Sequence, residues 1–179
     1  SESLLPQFGI SARFYDPLDA QGFKALLTPQ TKLVWLEAAG SITLEFPDLI
    51  GLLQACKAHG DVITALDNTW GAGLAFNAFE IAPATHPGLG VDISMQALTK
   101  YASGGADVLM GAVCTRDPAL HERLNQTHEH LGYGLGANDV ELVLRGLPSL
   151  ELRYRAQDAT TRALAQWMQA RPEVARVLH

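Results

Sequence analysis

The stretch that organises this chain reads Asp92-Ile93-Ser94-Met95-Gln96-Ala97-Leu98-Thr99-Lys100-Tyr101, followed by Ala102-Ser103-Gly104-Gly105-Ala106-Asp107 and the apolar Val108-Leu109-Met110. A lysine directly follows a strand-like run, with a threonine before it and small residues after it. Because the carboxyl ends of strands in open α/β sheets face the ligand crevice, this position suits an amine that must reach a ligand. Taken alone, Lys100 would be interpreted as a surface lysine at a strand end, since lysines are mostly exposed.

A carboxylate closes a second apolar run, which reads Val62-Ile63-Thr64-Ala65-Leu66-Asp67 and continues Asn68-Thr69-Trp70. Burying a carboxylate there is costly unless a cation or hydrogen bonds compensate it, so Asp67 either caps a turn or belongs to a functional pair. Pyridoxal phosphate requires a lysine for its aldehyde and an acid opposite its ring nitrogen. Lys100 and Asp67 together therefore point to this cofactor.

The two blocks resemble a known enzyme family. The run Asp67-Asn68-Thr69-Trp70-Gly71-Ala72-Gly73, with the lysine block after it, is similar to the pyridoxal-phosphate enzymes of cysteine and methionine metabolism, and within them to the bacterial cystathionine beta-lyase branch. The resemblance extends over nearly the whole chain, because other stretches fall in the family's order, namely Phe14-Tyr15-Asp16-Pro17, residues 36–43 and Leu144-Arg145-Gly146-Leu147.

The resemblance implies a carbon–sulfur lyase acting by β-elimination of cystathionine to homocysteine, pyruvate and ammonia. Lys100 would hold the cofactor and, once displaced by the substrate amine, remove the Cα proton as general base. Asp67 would keep the ring nitrogen protonated. The alternatives within the family are a cystathionine gamma-lyase, a gamma-synthase or a methionine gamma-lyase. The alternative of another class is an inactive fragment or assembly piece.

Two further residues are expected to contact the cofactor. The resemblance implies that Thr99 hydrogen-bonds the phosphate, although many relatives also carry a serine where this chain has Ala97. It also implies that the turn ending in Ser41 lies beside the ring. Gamma-branch enzymes usually have asparagine at this position, so Ser41 is the main reason to favour the beta-lyase branch. The alternative is that Gly40-Ser41 is an ordinary turn.

The remaining cofactor contacts of the family have no counterpart among these residues. The resemblance implies that a glycine-rich phosphate turn, a stacking tyrosine and a tyrosine–arginine pair from a neighbouring subunit would precede Ser1, and that the arginine for the substrate carboxylate would follow His179. We therefore interpret the chain as a fragment of about half the family's length. Alone, it is expected to bind cofactor weakly and not to turn over, whereas the whole enzyme is expected to be a homo-oligomer, a dimer or tetramer with a shared active site.

Composition excludes several classes of function. The 179 residues are 47% hydrophobic, enough for one domain with a core, and the net charge of -6 does not favour nucleic acid. The sequence contains no apolar span of about 18 residues, the length that a membrane-spanning helix requires. Cys56 and Cys114 predict two core thiols in a reduced, cytoplasmic protein. His121, His128 and His130 lack a zinc spacing, so no metal site is predicted.

The alternation of strand-like and helix-like runs predicts an α/β fold with a mostly parallel sheet flanked by helices. The resemblance makes this part of the large three-layer cofactor domain of a fold-type-I pyridoxal-phosphate enzyme. Residues 1–147 are assigned to that domain, and residues 148–179 to a linking helix and the start of a C-terminal domain. Strands are predicted at 12–15, 32–37, 62–67, before Lys100 and at 108–114. Helices are predicted from Pro17, from Pro47 to Gly60, and at 117–131, 139–145 and 149–171.

Overall fold

The structure is a computed structural model that describes residues 3–178. Within them the strands are β1 (Leu33–Glu37), β2 (Ile63–Asp67), β3 (Ile93–Ala97) and β4 (Gly111–Thr115). The α-helices are α1 (Ala20–Leu26), α2 (Leu49–His59), α3 (Pro118–Leu131), α4 (Ala137–Gly146) and α5 (Leu150–Gln169), and short 3-10 helices lie at Leu5–Phe8 and Leu147–Ser149.

The four strands form one sheet in the order β1-β2-β3-β4. The first three are parallel, and β4 is antiparallel to β3. The predicted α/β fold with a mostly parallel sheet is confirmed. Because β1, β2 and β3 run in the same direction, the turns that follow them, which carry Ser41, Asp67 and Lys100, lie at one edge of the sheet.

The main core lies between the sheet and helices α1 and α2. Val34, Leu36 and Leu66 are buried on the sheet side, and α2 contributes the fully buried Leu52, Leu53 and Cys56. The predicted bounds of α2 are confirmed. Asp48 caps it by accepting a hydrogen bond from the Gly51 amide at 3.0 Å, and Gly60 follows its end. One apolar stripe of this helix therefore closes one face of the sheet.

The opposite, open face of the sheet is exposed along the edge strands β1 and β4 within the described residues, whereas Ala65 in its centre is buried. The side chains of Leu33 and Trp35 are each 51% exposed, and Val113 is 53% exposed. The continuous apolar run within residues 32–37 is typical of a strand buried on both faces, but β1 is buried on one face only, so that interpretation is wrong. The register pairs Glu37 with Asp67 and Asp67 with Met95, so Asp67 belongs to this open face.

Two predictions near the amino end are also wrong. Residues 12–15 form no strand, and α1 begins at Ala20 instead of Pro17. The Asp16 carboxylate accepts a hydrogen bond from the Leu18 amide at 2.9 Å and closes a turn. Asp19 caps the helix through the Gln21 and Gly22 amides. Two aspartates three residues apart offered the same capping signal, and the second one starts the helix.

Several apolar residues that helical spacing would place in a core are exposed, and so is one of the two predicted core thiols. Leu131, Leu164 and Trp167 are more than half exposed, and Cys114 is exposed whereas Cys56 is buried. The predicted spans of α3 to α5 hold to within about two residues, because these helices have clear boundary residues such as Asp117 and Gly132. No helix in residues 3–178 is both long and apolar enough to cross a membrane.

Candidate active site

Hydrogen bonds join the turn after β2 to the end of β3. The Asn68 amide donates to the Met95 carbonyl at 2.8 Å, and the Thr69 hydroxyl accepts from the Ala97 amide at 2.9 Å. These contacts place the Asp67 turn against the last strand residues before Lys100. The two predicted chemical groups thus come from neighbouring parallel strands at one sheet edge.

The Asp67 carboxylate is half-buried and held in a turn. Its Oδ1 accepts a hydrogen bond from the Thr69 amide at 3.0 Å. It forms no salt bridge with any residue in the described part of the chain. One carboxylate oxygen is therefore fixed by the backbone, and the negative charge has no protein cation beside it.

The Lys100 side chain is exposed at the start of a tight loop. Its amide donates to the Ala97 carbonyl at 3.1 Å, and its carbonyl accepts from the Gly104 amide at 3.4 Å. Its amine forms no salt bridge to a residue within 3–178. The backbone of this lysine is thus fixed while its amine is available to a ligand.

The Thr99 hydroxyl is engaged by the backbone of Met110. It donates to the Met110 carbonyl at 3.3 Å and accepts from the Met110 amide at 3.1 Å. A hydroxyl has one proton to donate, so it must rotate away from that carbonyl to donate to a phosphate. A phosphate contact by Thr99 stays a prediction.

Ser41 is exposed in a turn between β1 and α2. The Gly40 amide donates to the Glu45 carbonyl at 2.9 Å, and the Leu44 amide donates to the Gly40 carbonyl at 3.1 Å. Beside this turn lies a cavity of about 190 Å³ lined by Tyr15, Pro17, Trp35, Glu37, Gly40 and Glu45. The predicted contact of Ser41 with a cofactor ring stays a prediction.

Three residues at this edge were missed by the sequence interpretation. Asn68 is fully buried, and its Oδ1 has no hydrogen-bond partner among the described residues. Arg153 donates to the Tyr101 carbonyl at 2.6 Å, and Tyr154 donates to the Trp70 carbonyl at 3.0 Å. Burial raises the pKa of both Tyr101 and Tyr154. Asn68 directly follows Asp67 in the sequence, and this position could have marked it as part of the site. No sequence pattern around Arg153 and Tyr154 indicated that α5 contributes to the site.

The donor set fits pyridoxal phosphate. A primary amine and a carboxylate, neither paired with another described residue, lie at the ends of neighbouring strands, as an aldehyde-bearing pyridine requires. In the described part of the chain no group of three metal-ligating side chains comes together. The arrangement can therefore bind an aldehyde and place an acid near the same ligand.

Comparison with known proteins gives one family. Residues 1–179 match the family described as Cys/Met metabolism PLP-dependent enzymes. The chain is 37% identical to a cystathionine beta-lyase of Bordetella avium over 99% of this chain and 42% of that protein. It is 33% identical to a cystathionine gamma-lyase of Bos taurus over 97% of this chain and 41% of that protein.

The fold comparison agrees with the sequence comparison. A crystal structure of cystathionine gamma-lyase from Lactobacillus plantarum complexed with L-serine superposes with a TM-score of 0.83 at 28% identity, over 98% of this chain and 44% of that one. The chain thus spans less than half the length of the relatives it matches. Beta-lyase and gamma-lyase names both occur among them, so similarity alone does not separate the two reactions.

Proposed function

This chain belongs to the Cys/Met metabolism PLP-dependent enzyme family, and we propose that it supplies the lysine and the ring-nitrogen acid of a carbon–sulfur lyase acting on cystathionine. The observation that carries the proposal is the placement of Asp67 and Lys100 at the ends of adjacent parallel strands. The reaction proposed is β-elimination to homocysteine, pyruvate and ammonia.

Lys100 is the proposed catalytic residue. Its exposed amine would hold the cofactor through the aldehyde. Once the amine of the substrate has taken its place, the Lys100 amine would accept the substrate Cα proton as general base. When bound, pyridoxal phosphate supplies an electron-withdrawing ring that stabilises negative charge at Cα. The tight loop that holds the Lys100 backbone keeps this base in reach.

Asp67 has an electrostatic role in the proposal. Its carboxylate holds a proton on the ring nitrogen, and the hydrogen bond from the Thr69 amide at 3.0 Å fixes its direction. Thr99 is proposed as a phosphate ligand after rotation of its hydroxyl, and Ser41 as a contact beside the ring. The exposure of Ser41 supports that contact.

The preference for β-elimination is supported by Ser41 and by the similarity to the beta-lyase from Bordetella avium. Elimination at Cβ gives pyruvate, whereas elimination at Cγ gives 2-oxobutyrate. Product analysis with cystathionine therefore tests this part of the proposal. 2-Oxobutyrate as the main product would replace the beta-lyase assignment with the gamma-lyase one.

We also propose a cytoplasmic homo-oligomer, an arrangement that the open sheet face supports.

The lysine assignment can be tested by borohydride reduction. The sequence contains only four lysines, so Lys24, Lys32 and Lys57 serve as internal controls for Lys100. Incubation with pyridoxal 5'-phosphate, reduction and peptide mass mapping should give the pyridoxyl adduct on Lys100 in excess over the other three. Equal labelling of all four lysines, or none at Lys100, would exclude the proposed role. An adduct on Lys100 without turnover would indicate a cofactor-binding piece that is not catalytic alone.

A further inference from the structure

Arg153, in the first turn of α5, directs its guanidinium at uncharged acceptors only. It donates to the carbonyls of Tyr101 at 2.6 Å, Gly146 at 2.9 Å and Ala102 at 3.4 Å, and to the Ser149 hydroxyl at 3.0 Å. It forms no salt bridge with a residue among 3–178. A half-buried guanidinium without a counter-ion is tolerated only when its donors are satisfied, so this set of bonds holds the group in place.

The loop that Arg153 contacts follows Lys100 directly and lies very close to the junction of α4 and α5. A Cβ added to Gly146 would lie 2.2 Å from the Ala102 carbonyl oxygen and 2.4 Å from that of Ser103. A Cβ added to Gly104, whose φ is +75°, would lie 2.6 Å from Cζ of Arg153. No side chain separates the loop from this junction, so its backbone position is set by direct contact.

The next residue of α5 reaches the loop of Asp67. Tyr154 donates its hydroxyl hydrogen to the Trp70 carbonyl at 3.0 Å, three residues after Asp67. Its ring also meets the ring of Tyr101 edge-on, with centroids 5.2 Å apart. Two consecutive residues of one helix thus hold the loops that follow β2 and β3.

We propose that Arg153 is the positioning residue of Lys100, and that Tyr154 sets the same helix against the Asp67 loop. The bonds to Tyr101 and Ala102 restrain a loop that contains Gly104 and Gly105 and would otherwise sample many conformations. Because small misplacements of a reacting group lower the rate strongly, this restraint matters for an amine that must find an aldehyde. The inference rests on the proposed function.

The test compares three variants of the 179-residue chain. R153M keeps an unbranched side chain of similar length and removes every hydrogen-bond donor. R153K keeps the positive charge but lacks the planar guanidinium. R155M is the control. Arg155 is exposed on the same helix and pairs with Glu151 at 2.7 Å, and none of its hydrogen bonds within the described residues reaches residues 100–104. Amide hydrogen exchange without cofactor and borohydride trapping with cofactor are measured for each.

R153M should raise amide exchange in residues 100–104 by roughly tenfold or more, because hydrogen bonds to a charged group are lost there. Exchange in α2 should stay unchanged. The fraction of pyridoxyl adduct on Lys100 should fall severalfold while that on Lys57 does not. R153K should recover part of both signals, and R155M should match the wild type.

The outcomes separate the two proposals. A wild-type chain with no adduct on Lys100 overturns the proposed function, whereas a normal adduct together with wild-type exchange in R153M overturns this inference. If R153M loses protection in α2 as well, and so does not fold, R153K carries the test. Wild-type exchange at residues 100–104 in R153K would then overturn the positioning role.

Discussion

Asp67 separates its structural role from its proposed chemical role. Oδ1 closes a turn with the Thr69 amide, and the charge is left for a ligand. D67N keeps an acceptor at that position and removes only the charge. We expect D67N to change the free energy of unfolding by less than about 0.5 kcal/mol, because the asparagine side-chain oxygen can still accept the hydrogen bond from the Thr69 amide.

The same substitution should abolish most lyase activity in a protein that carries this chain. We expect kcat to fall by at least about 100-fold, because the neutral asparagine would no longer stabilise the protonated ring nitrogen through its negative charge. Urea unfolding gives the first quantity and pyruvate release the second. D67A, which loses the turn as well, is the control and should be less stable. Full activity of D67N would show that the ring nitrogen has another partner.

The buried Cys56 predicts how the stability depends on alkaline pH. Burial, and then the nearby Asp92 charge, raise the pKa of the Cys56 thiol to about 11 from an ordinary 9.0. The unfolded thiol therefore loses its proton at lower pH than the folded one. The stabilisation is complete below pH 9 and is lost as the pH rises to about 11.

Urea unfolding of the wild type and of C56A at pH 8 and pH 10.5 measures this effect. The difference in unfolding free energy between the two proteins should shrink at the higher pH. Burial, and then the nearby Cys56, raise the pKa of Tyr15 to about 12, so only the larger, burial-driven part of that shift is common to both proteins. A difference that does not change with pH would contradict the prediction. Cys114, which is exposed, should react with a thiol reagent in the folded state.

At the residue scale, the lysine and the acid could be predicted from the sequence, but the residues that hold their loops in place could not. Lys100 and Asp67 were recognisable because each ends an apolar run in a specific block. Arg153 was not, because its acceptors in the lysine loop are backbone carbonyls about fifty positions away, and no sequence pattern marks a carbonyl as an acceptor. The partner of the Thr99 hydroxyl is likewise the backbone of Met110, which no sequence pattern indicates.

Among the elements, the connection into β3 is tightly packed at Gly90. A Cβ added to Gly90 would lie 2.2 Å from the backbone carbonyl carbon of Phe79. A backbone atom cannot relieve such a clash by a side-chain rotation, so the chain itself would have to shift. We expect G90A to lower the unfolding free energy by about 1–3 kcal/mol, the usual cost of overpacking. Thermal or urea unfolding measures it.

G134A is the matched control for this substitution. No atom lies within 4 Å of a Cβ at Gly134. Its stability should stay close to that of the wild type. If G90A were as stable as G134A, the backbone of residues 79–90 would have to shift at little cost in free energy. That result would contradict the prediction, which the burial of the neighbouring Leu89 and Val91 supports.

Sequence patterns located most elements and missed the direction of β4. The run at 108–114 predicted a strand, which forms at Gly111–Thr115. It pairs antiparallel to β3 because residues 98–110 contain no helix, and a parallel return normally needs a helical crossover. Two helix starts were close to the predicted positions 47 and 117, because Asp48 and Asp117 cap α2 and α3 there.

Taken as a whole, the described chain has one covered and one open sheet face. The open face carries Leu33, Trp35 and Val113. We expect the chain to bind a hydrophobic fluorescent dye in its folded state, because exposed apolar patches do so. The double variant L33T/V113T should reduce the dye signal and keep the strands, since threonine has a high strand propensity.

V34T is the control for that pair, because Val34 lies on the covered face and is buried. It should destabilise the fold by about 1–3 kcal/mol, the cost of a buried hydroxyl without a partner. Dye fluorescence that is the same in the wild type and in L33T/V113T would show that another surface binds the dye. The run 33–36 is continuously apolar, so it gave no alternation from which the covered and the exposed face of β1 could be told apart.

The link between α5 and the lysine loop has a consequence for how these proteins can diverge. Arg153 recognises main-chain oxygens of Tyr101 and Ala102. The anchoring bonds therefore do not depend on the side chains at positions 101 and 102, but a directed-evolution library at position 102 is confined to small residues because Ala102 is buried. Position 153, and the glycine at 146 that gives the loop room, form the part of this chain that such a library should leave untouched.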